Sequence, residues 1–208
     1  MNKGEILKNL KEYGICVLKD YWTREQCLNA KREVDSLPSG LFVPGQGNDS
    51  RCQHSNNYLE GARSFFEDQF IIEISEEYSA CCVPNRTVTG IVRYTEGVQV
   101  DSGGGWHVDS EQDSQFKSIL YLSDVHATNG PFTFATKSKE KVPELEKYSN
   151  LRISEEQINE KILSENIVEI VGTAGTCILV DTTYPHRGKL IQSGERYSFT
   201  TYFYKDKN

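Results

Sequence analysis

The chain has 208 residues and a formal net charge of −7, from 23 Lys plus Arg against 30 Asp plus Glu. That length suits one domain, and an acidic chain without a basic stripe argues against duplex DNA, whose binders need cationic side chains to displace counterions. Apolar residues at 37% and aromatics at 11% suffice for a packed core, which excludes disorder for most of the chain.

The opening Met1 to Glu5 shows no apolar signal-peptide core, and no apolar run approaches the roughly 20 residues of a membrane span. Cys16, Cys27, Cys52, Cys81, Cys82 and Cys177 form no C-x-x-C pair. Reduced thiols and a cytoplasmic location are therefore the expectation, with no membrane partner. Ile6 to Tyr13 reads as a short amphipathic helix and Gly14 to Leu18 as a buried strand. Thr23 caps a second helix to about Leu37, and Pro38 ends it. Residues 38–57, rich in Gly, Pro, Ser, Asn and Gln, read as one long polar loop. A third helix is expected from Ala62 to Tyr78, with Phe65, Phe66, Phe70, Ile71 and Ile74 on or near one face.

From Thr87 the texture changes to short β-rich runs, at 87–94, 97–100, 105–108, 117–122, 131–135, 167–171, 176–180 and 196–204. Eleven Tyr and nine Phe against one Met suit strands. Such spacing predicts a β-sandwich, jelly roll or barrel. A charged insert at 140–166 interrupts them, with Pro143 near the first turn of one helix and Ser154 capping the next. The expectation is one domain over 1–208, a helical preface at 1–86 and a β core at 87–208.

Of four histidines, His107 lies in Gly105-Trp106-His107-Val108-Asp109. On a strand, residues i and i+2 share a face, so His107 and Asp109 can reach one ion, while Trp106 points to the other side, toward a core. His186, in Tyr184-Pro185-His186-Arg187-Gly188, could supply a third ligand. Two imidazoles and a carboxylate on one side of an octahedral ion make the facial triad of non-haem iron sites. Alone, His-x-Asp reads better as a strand histidine bonded to a nearby carboxylate than as a metal site. Arg196 changes the weighting. It opens an alternating strand with Arg196, Ser198 and Thr200 on one face and Tyr197, Phe199 and Thr201 on the other. An inward arginine needs an anion, and a bidentate carboxylate is the natural one.

Taken together, the order His-x-Asp, strand, Asn129-Gly-Pro-Phe132, Gly172-x-x-Gly175, His186-Arg-Gly188 and Gly194-x-Arg-Tyr-Ser198 resembles the Fe(II)/2-oxoglutarate-dependent dioxygenases. Within them it is most similar to the phytanoyl-CoA dioxygenase-like branch, whose opening resembles Gly14 to Asp20 followed by a helix. The segment Ile119 to Asp124 is similar to the matching strand of prolyl hydroxylases. The resemblance spans about residues 10–204 and is patchy in 38–86 and 137–166. It implies a mainly β fold with N-terminal helices, a double-stranded β-helix of jelly-roll, cupin-like type. It also implies Fe(II) at His107, Asp109 and His186, and the C5 carboxylate of 2-oxoglutarate at Arg196, with Tyr121 and Ser198 as further donors. Ascorbate is an implied accessory. The carboxylate of Asp109, absent from halogenases of this superfamily, implies hydroxylation or desaturation, and the compact length of 208 residues favours a small molecule or an exposed protein side chain over a coenzyme A thioester as substrate. A non-catalytic jelly-roll sensing module and a cupin-type metalloenzyme are the competing readings.

Among the remaining residues, His54 and His126 read as exposed loop histidines, and Lys117 as solvent-facing by default, although the resemblance also offers a lysine set against the cosubstrate. Arg93 reads as a surface ion pair or an anion contact, and Asp181 as a turn residue or the partner that orients His186. Gly103-Gly104-Gly105 precedes a strand and not a helix, which disfavours a phosphate loop. Loop 45–57, with Arg51, and insert 140–166 are the candidate lids.

Overall fold

The computed structural model describes residues 1–45, 48–79, 83–101, 105–109, 116–147 and 151–204; Cys81, Cys82, Gly103 and Gly104 lie outside them. Helix α1 (Lys3–Tyr13) begins with a reciprocal cap, in which the Asn2 side chain accepts from the Glu5 N–H and the Glu5 carboxylate accepts from the Asn2 N–H. It ends at Gly14, whose φ of 78° lies in the left-handed region. A Cβ there would also come within 2.7 Å of the Tyr184 ring. Gly14→Ala is therefore expected to cost about 1–2 kcal/mol, from the left-handed backbone plus a displaced ring, and to lower Tm by roughly 2–8 °C in a calorimetric scan.

Helix α2 (Arg24–Ser36) starts at Thr23, which exchanges the same pair of bonds with Gln26. The single helix expected over 62–78 is two, α3 (Glu60–Phe66) and α4 (Gln69–Ser79). Asp68 parts them, because its carboxylate accepts from the N–H groups of Phe70 (3.1 Å) and Ile71 (3.2 Å). Phe65, Ile71 and Ile74 are buried, whereas Phe70 faces outward.

Among the described residues there are ten strands, in chain order β1 (Ile15–Leu18), β2 (Val43–Pro44), β3 (Asp49–Cys52), β4 (Val83–Arg93), β5 (Phe116–Tyr121), β6 (Phe132–Ala135), β7 (Ile167–Ile170), β8 (Cys177–Asp181), β9 (His186–Gly188) and β10 (Glu195–Tyr204). They form an antiparallel major sheet, β1-β8-β5-β10-β4-β3-β2, and a minor sheet, β7-β6-β9. The four helices cover the outer face of the major sheet. There Leu10, Cys27, Phe65 and Ile74 pack against Leu120, Leu179, Phe199 and Phe203, and Trp22 meets Phe65 and Phe199 edge-on at 6.0 and 6.3 Å. The inner face meets the minor sheet through Ile119, Ile178, Val180, Phe132, Phe134 and Ile170. Each such buried apolar side chain contributes about 1.5–3 kcal/mol. Two facing sheets with helices on one outer face make a jelly roll, as expected.

Two expected strands are not formed. Residues 97–100 run as turn and irregular chain, and 105–108 pair only through isolated bridges from His107 to Arg152 and to His186. Conversely, the polar stretch 38–57 contains β2 and β3, so with β1 the N-terminal part supplies three strands to the major sheet besides its helices. Within insert 140–166, a 3-10 turn (Lys139–Glu144) holds Pro143, and Ser154 caps α5 (Glu155–Lys161) as expected. Leu145, Ile153, Ile158 and Ile162 form a small core with Trp106 and Val108. Cys16, Cys27, Cys52 and Cys177 are buried free thiols, and burial pushes Cys27 up to about 11. Among the described residues, no helix is long and apolar enough to cross a membrane.

Candidate metal centre

Parity along the strands builds the site. On β10, Tyr197, Phe199 and Phe203 enter the helix-side core, which turns Arg196, Ser198, Thr200 and Tyr202 to the inner face. On β5 the inner residues are Lys117, Ile119 and Tyr121. Register then aligns a row Arg51, Gly90, Ser198 and Tyr121 across four strands, and beside it Asp49, Val92 and Arg196. These side chains and the minor sheet enclose a cavity of about 260 Å³, also lined by His107, Asp109, Phe132, Arg152, His186 and Arg187.

His107 and His186 exchange both backbone bonds (N···O 3.0 and 2.9 Å), so the bridge sets them directly opposite each other, with ring centroids 4.2 Å apart. Each ring is held by the carbonyl two residues earlier. His107 Nδ1 lies 2.9 Å from Gly105 O, and His186 Nδ1 lies 2.9 Å from Tyr184 O. A carbonyl only accepts, so each Nδ1 carries the proton and each Nε2 presents a lone pair. The Asp109 N–H donates to Thr182 O (2.9 Å), and its Oδ1 lies 4.0 Å from His107 Nε2 and 3.9 Å from His186 Nε2. One atom from each residue lies within 4.8 Å of the other two, a spacing that one ion would bridge.

The protonation states suit a cation. Burial, then the neighbouring His186, holds His107 well below its ordinary value, and burial lowers His186 against the pull of Asp109. Both rings are neutral ligands at pH 7. Burial alone would raise Asp109, but Lys117 above all, then His186 and the Thr182 hydroxyl, hold it below the usual carboxylate range. Two neutral imidazoles and one carboxylate fit a divalent ion of the iron type.

The other expected residues divide. Arg196 and Ser198 both reach the cavity wall. For Arg196, burial works against its charge, while Tyr121 and Asp49 favour it. Tyr121 reaches the same wall, but its hydroxyl donates to Ile170 O (3.0 Å) and accepts from Phe132 N–H (3.0 Å), clasping the two sheets together. Its single proton is thereby taken. Tyr121→Phe is expected to cost about 1–3 kcal/mol in denaturant unfolding, since two buried backbone groups lose a partner, and to change 2-oxoglutarate affinity by less than about threefold.

Asp181 does not orient His186; its carboxylate accepts from Tyr78 Oη, Lys139 Nζ and Thr183 Oγ1, at 3.0, 3.0 and 2.6 Å. Arg93 lies outside the cavity and pairs with Glu195 and the Tyr197 hydroxyl. His54 and His126 are exposed, and Trp106 is buried as expected. The expectation for Lys117 is overturned. It is buried, with Nζ 2.5 Å from Asp109 Oδ2 and 4.5 Å from the Tyr202 ring centroid on the next strand. The signal was present in its parity with Tyr121. Both candidate lids reach the cavity as walls, the loop through Arg51 and the insert through Arg152.

Solved structures share this architecture. The epimerase SnoN, in complex with Fe3+, alpha ketoglutarate and nogalamycin RO, superposes with a TM-score of 0.74 at 12% identity, over 97% of this chain and 83% of that one. This chain has the fold of the Fe(II)/2-oxoglutarate enzymes. A Pseudomonas putida prolyl-4-hydroxylase gives 0.68 at 11% identity over 99% and 100% of the two chains. HygX from Streptomyces hygroscopicus, with nickel and 2-oxoglutarate bound, gives 0.69 at 11% over 98% and 87%. No protein-family model and no curated sequence matches the chain. The neighbours do not single out the phytanoyl-CoA branch.

Proposed function

We propose that this chain is an Fe(II)- and 2-oxoglutarate-dependent dioxygenase that hydroxylates or desaturates a small molecule or an amino-acid side chain, with release of succinate and CO2. The observation that carries the reading is the convergence of His107, Asp109 and His186 on one point of a cavity whose wall holds Arg196. Bound there, iron and 2-oxoglutarate would supply the oxidising power that no side chain possesses.

The residues would do the rest. His107 and His186 are aimed by the carbonyls of Gly105 and Tyr184, which fixes the tautomer that leaves each Nε2 unprotonated. Arg196 would anchor the C5 carboxylate through a charge-assisted fork and so set the direction of the dicarboxylate along the cavity. Phe132, 5.7 Å from the His186 ring, and Ile119 give the floor an apolar lining that limits water beside the ligands. Arg51 and Arg152 stand on the walls formed by β3 and the insert, where the oxidised substrate would approach.

A small-molecule substrate is the favoured half of the reading. Nogalamycin RO and hygromycin B, both small molecules, are seen with SnoN and HygX. SnoN is an epimerase and SnoK a carbocyclase, so enzymes of this fold differ in the reaction they carry out. The test is anaerobic addition of Fe(II) and 2-oxoglutarate to the metal-free protein, with the visible charge-transfer band as readout, followed by succinate assay in air. A band and substrate-independent slow succinate release support the reading. Iron held no better than zinc, with no band, would overturn it in favour of a binding module.

A further inference from the structure

The buried Lys117 has no part in the scheme above, yet it touches a proposed ligand. The two oxygens of Asp109 face opposite partners. Oδ1 looks toward both imidazole Nε2 atoms, at 4.0 and 3.9 Å, while Oδ2 lies 2.5 Å from Lys117 Nζ. The ammonium group is fixed on its other side by the Tyr202 ring, directly across the β5–β10 ladder, with the centroid 4.5 Å away. About a tenth of the lysine side chain and under a fifth of the aspartate's are exposed, so the pair is largely shielded from water.

We infer that Lys117 is a positioning residue that restricts Asp109 to a single metal-facing oxygen. The inference rests on the proposed function. A carboxylate can chelate an ion with both oxygens or bind it with one. Two imidazoles and a chelating carboxylate fill four of six positions, which leaves only the two that a 2-oxo acid chelate requires. With one oxygen withheld, a third position stays open for a further reactant. The lysine achieves this by charge and by occupancy, since Oδ2 cannot approach the ion without leaving an ammonium group buried and unpaired. Lys117 also opposes the positive charge of the ion, so the device exchanges some metal affinity for an open site.

The readout is carboxylate denticity. Protein labelled with [4-13C]aspartate is loaded with Co(II), and the infrared difference against the metal-free form gives the splitting between the antisymmetric and symmetric stretches. The wild type is expected to show the wide splitting of one-oxygen binding. Lys117→Met is expected to show the narrow splitting of a chelate and to hold Co(II) more tightly than the wild type, because a second carboxylate oxygen joins the ion and the opposing ammonium charge is gone. Lys117→Arg is expected to restore the wide splitting.

Narrow splitting in the wild type overturns the inference whatever the variants do. So does a Lys117→Met variant with unchanged splitting and Co(II) affinity within twofold of the wild type, which would leave the lysine a purely structural role. Wide splitting in the wild type, lost in Lys117→Met but without any 2-oxoglutarate binding, would support the clamp while removing the proposed function. A wild type that takes up no Co(II) overturns both.

Discussion

Asp109→Ala is expected to abolish the Fe(II)–2-oxoglutarate charge-transfer band and to weaken Fe(II) binding by at least about 100-fold. Loss of a partner behind a ligand already costs about 10–100-fold, and this change removes the ligand itself and, among the described residues, the only carboxylate lining the cavity. The same substitution has a second effect that does not depend on metal. It leaves Lys117 buried against the Tyr202 ring without its carboxylate, and breaking a buried pair by removing one member typically costs about 3–5 kcal/mol. Urea unfolding of the metal-free protein should register that loss. Lys117→Met added to Asp109→Ala should return most of it without returning the band. Recovery of stability without recovery of binding would separate the two duties of the residue. A single variant with an intact band would remove Asp109 from the site.

Arg196→Leu is the second large effect. The guanidinium is buried on the inner face of β10, two residues from Ser198 and two strands from Asp49, where it can take both oxygens of a carboxylate end-on. Truncating one member of a buried, hydrogen-bonded charge pair costs about 2–5 kcal/mol, so the Kd for 2-oxoglutarate should rise about 30-fold or more. Arg196→Lys should recover part of the charge but not the fork. Co(II) affinity should stay within about twofold in both variants, because Arg196 is not one of the three residues converging on the ion. A titration in which 2-oxoglutarate binds Arg196→Leu as tightly as the wild type would move the dicarboxylate elsewhere in the cavity, with Arg51 the next cation on the wall.

Much of this site was legible in the sequence because it is built on alternation. The i, i+2 relation placed His107 with Asp109, and the aromatic parity of Tyr197 and Phe199 turned Arg196 inward; the structure reproduces both. The same rule, applied to Lys117 and Tyr121, would have turned the lysine inward too, but a lone lysine at a strand start is ordinarily solvated. What stayed hidden lacks local pattern. Strand β3 spells Asp49-Ser-Arg-Cys52, with polar residues of poor strand propensity, and it is a strand only because β4 offers it an edge. By pattern alone Arg51 therefore belongs to a loop. The short β9 is defined by its partner β6, not by its own three residues. The break between α3 and α4 depends on one side chain, Asp68, capping forward, while the apolar pattern runs straight through it.

The segment Gly105 to Asp109 faces two ways at once. Its odd residues, His107 and Asp109, look into the cavity, and its even residues, Trp106 and Val108, are buried in the insert's small core beside Leu145, Ile153, Ile158 and Ile162. No regular ladder holds it, so the packing of 140–166 serves as the mould in which two of the three ligands are set. The insert thus cannot vary as a free outer wall would. Grafting a different insert onto this scaffold would alter what the cavity admits and how it grips its ion in the same step, which ties the evolution of specificity to the upkeep of the centre.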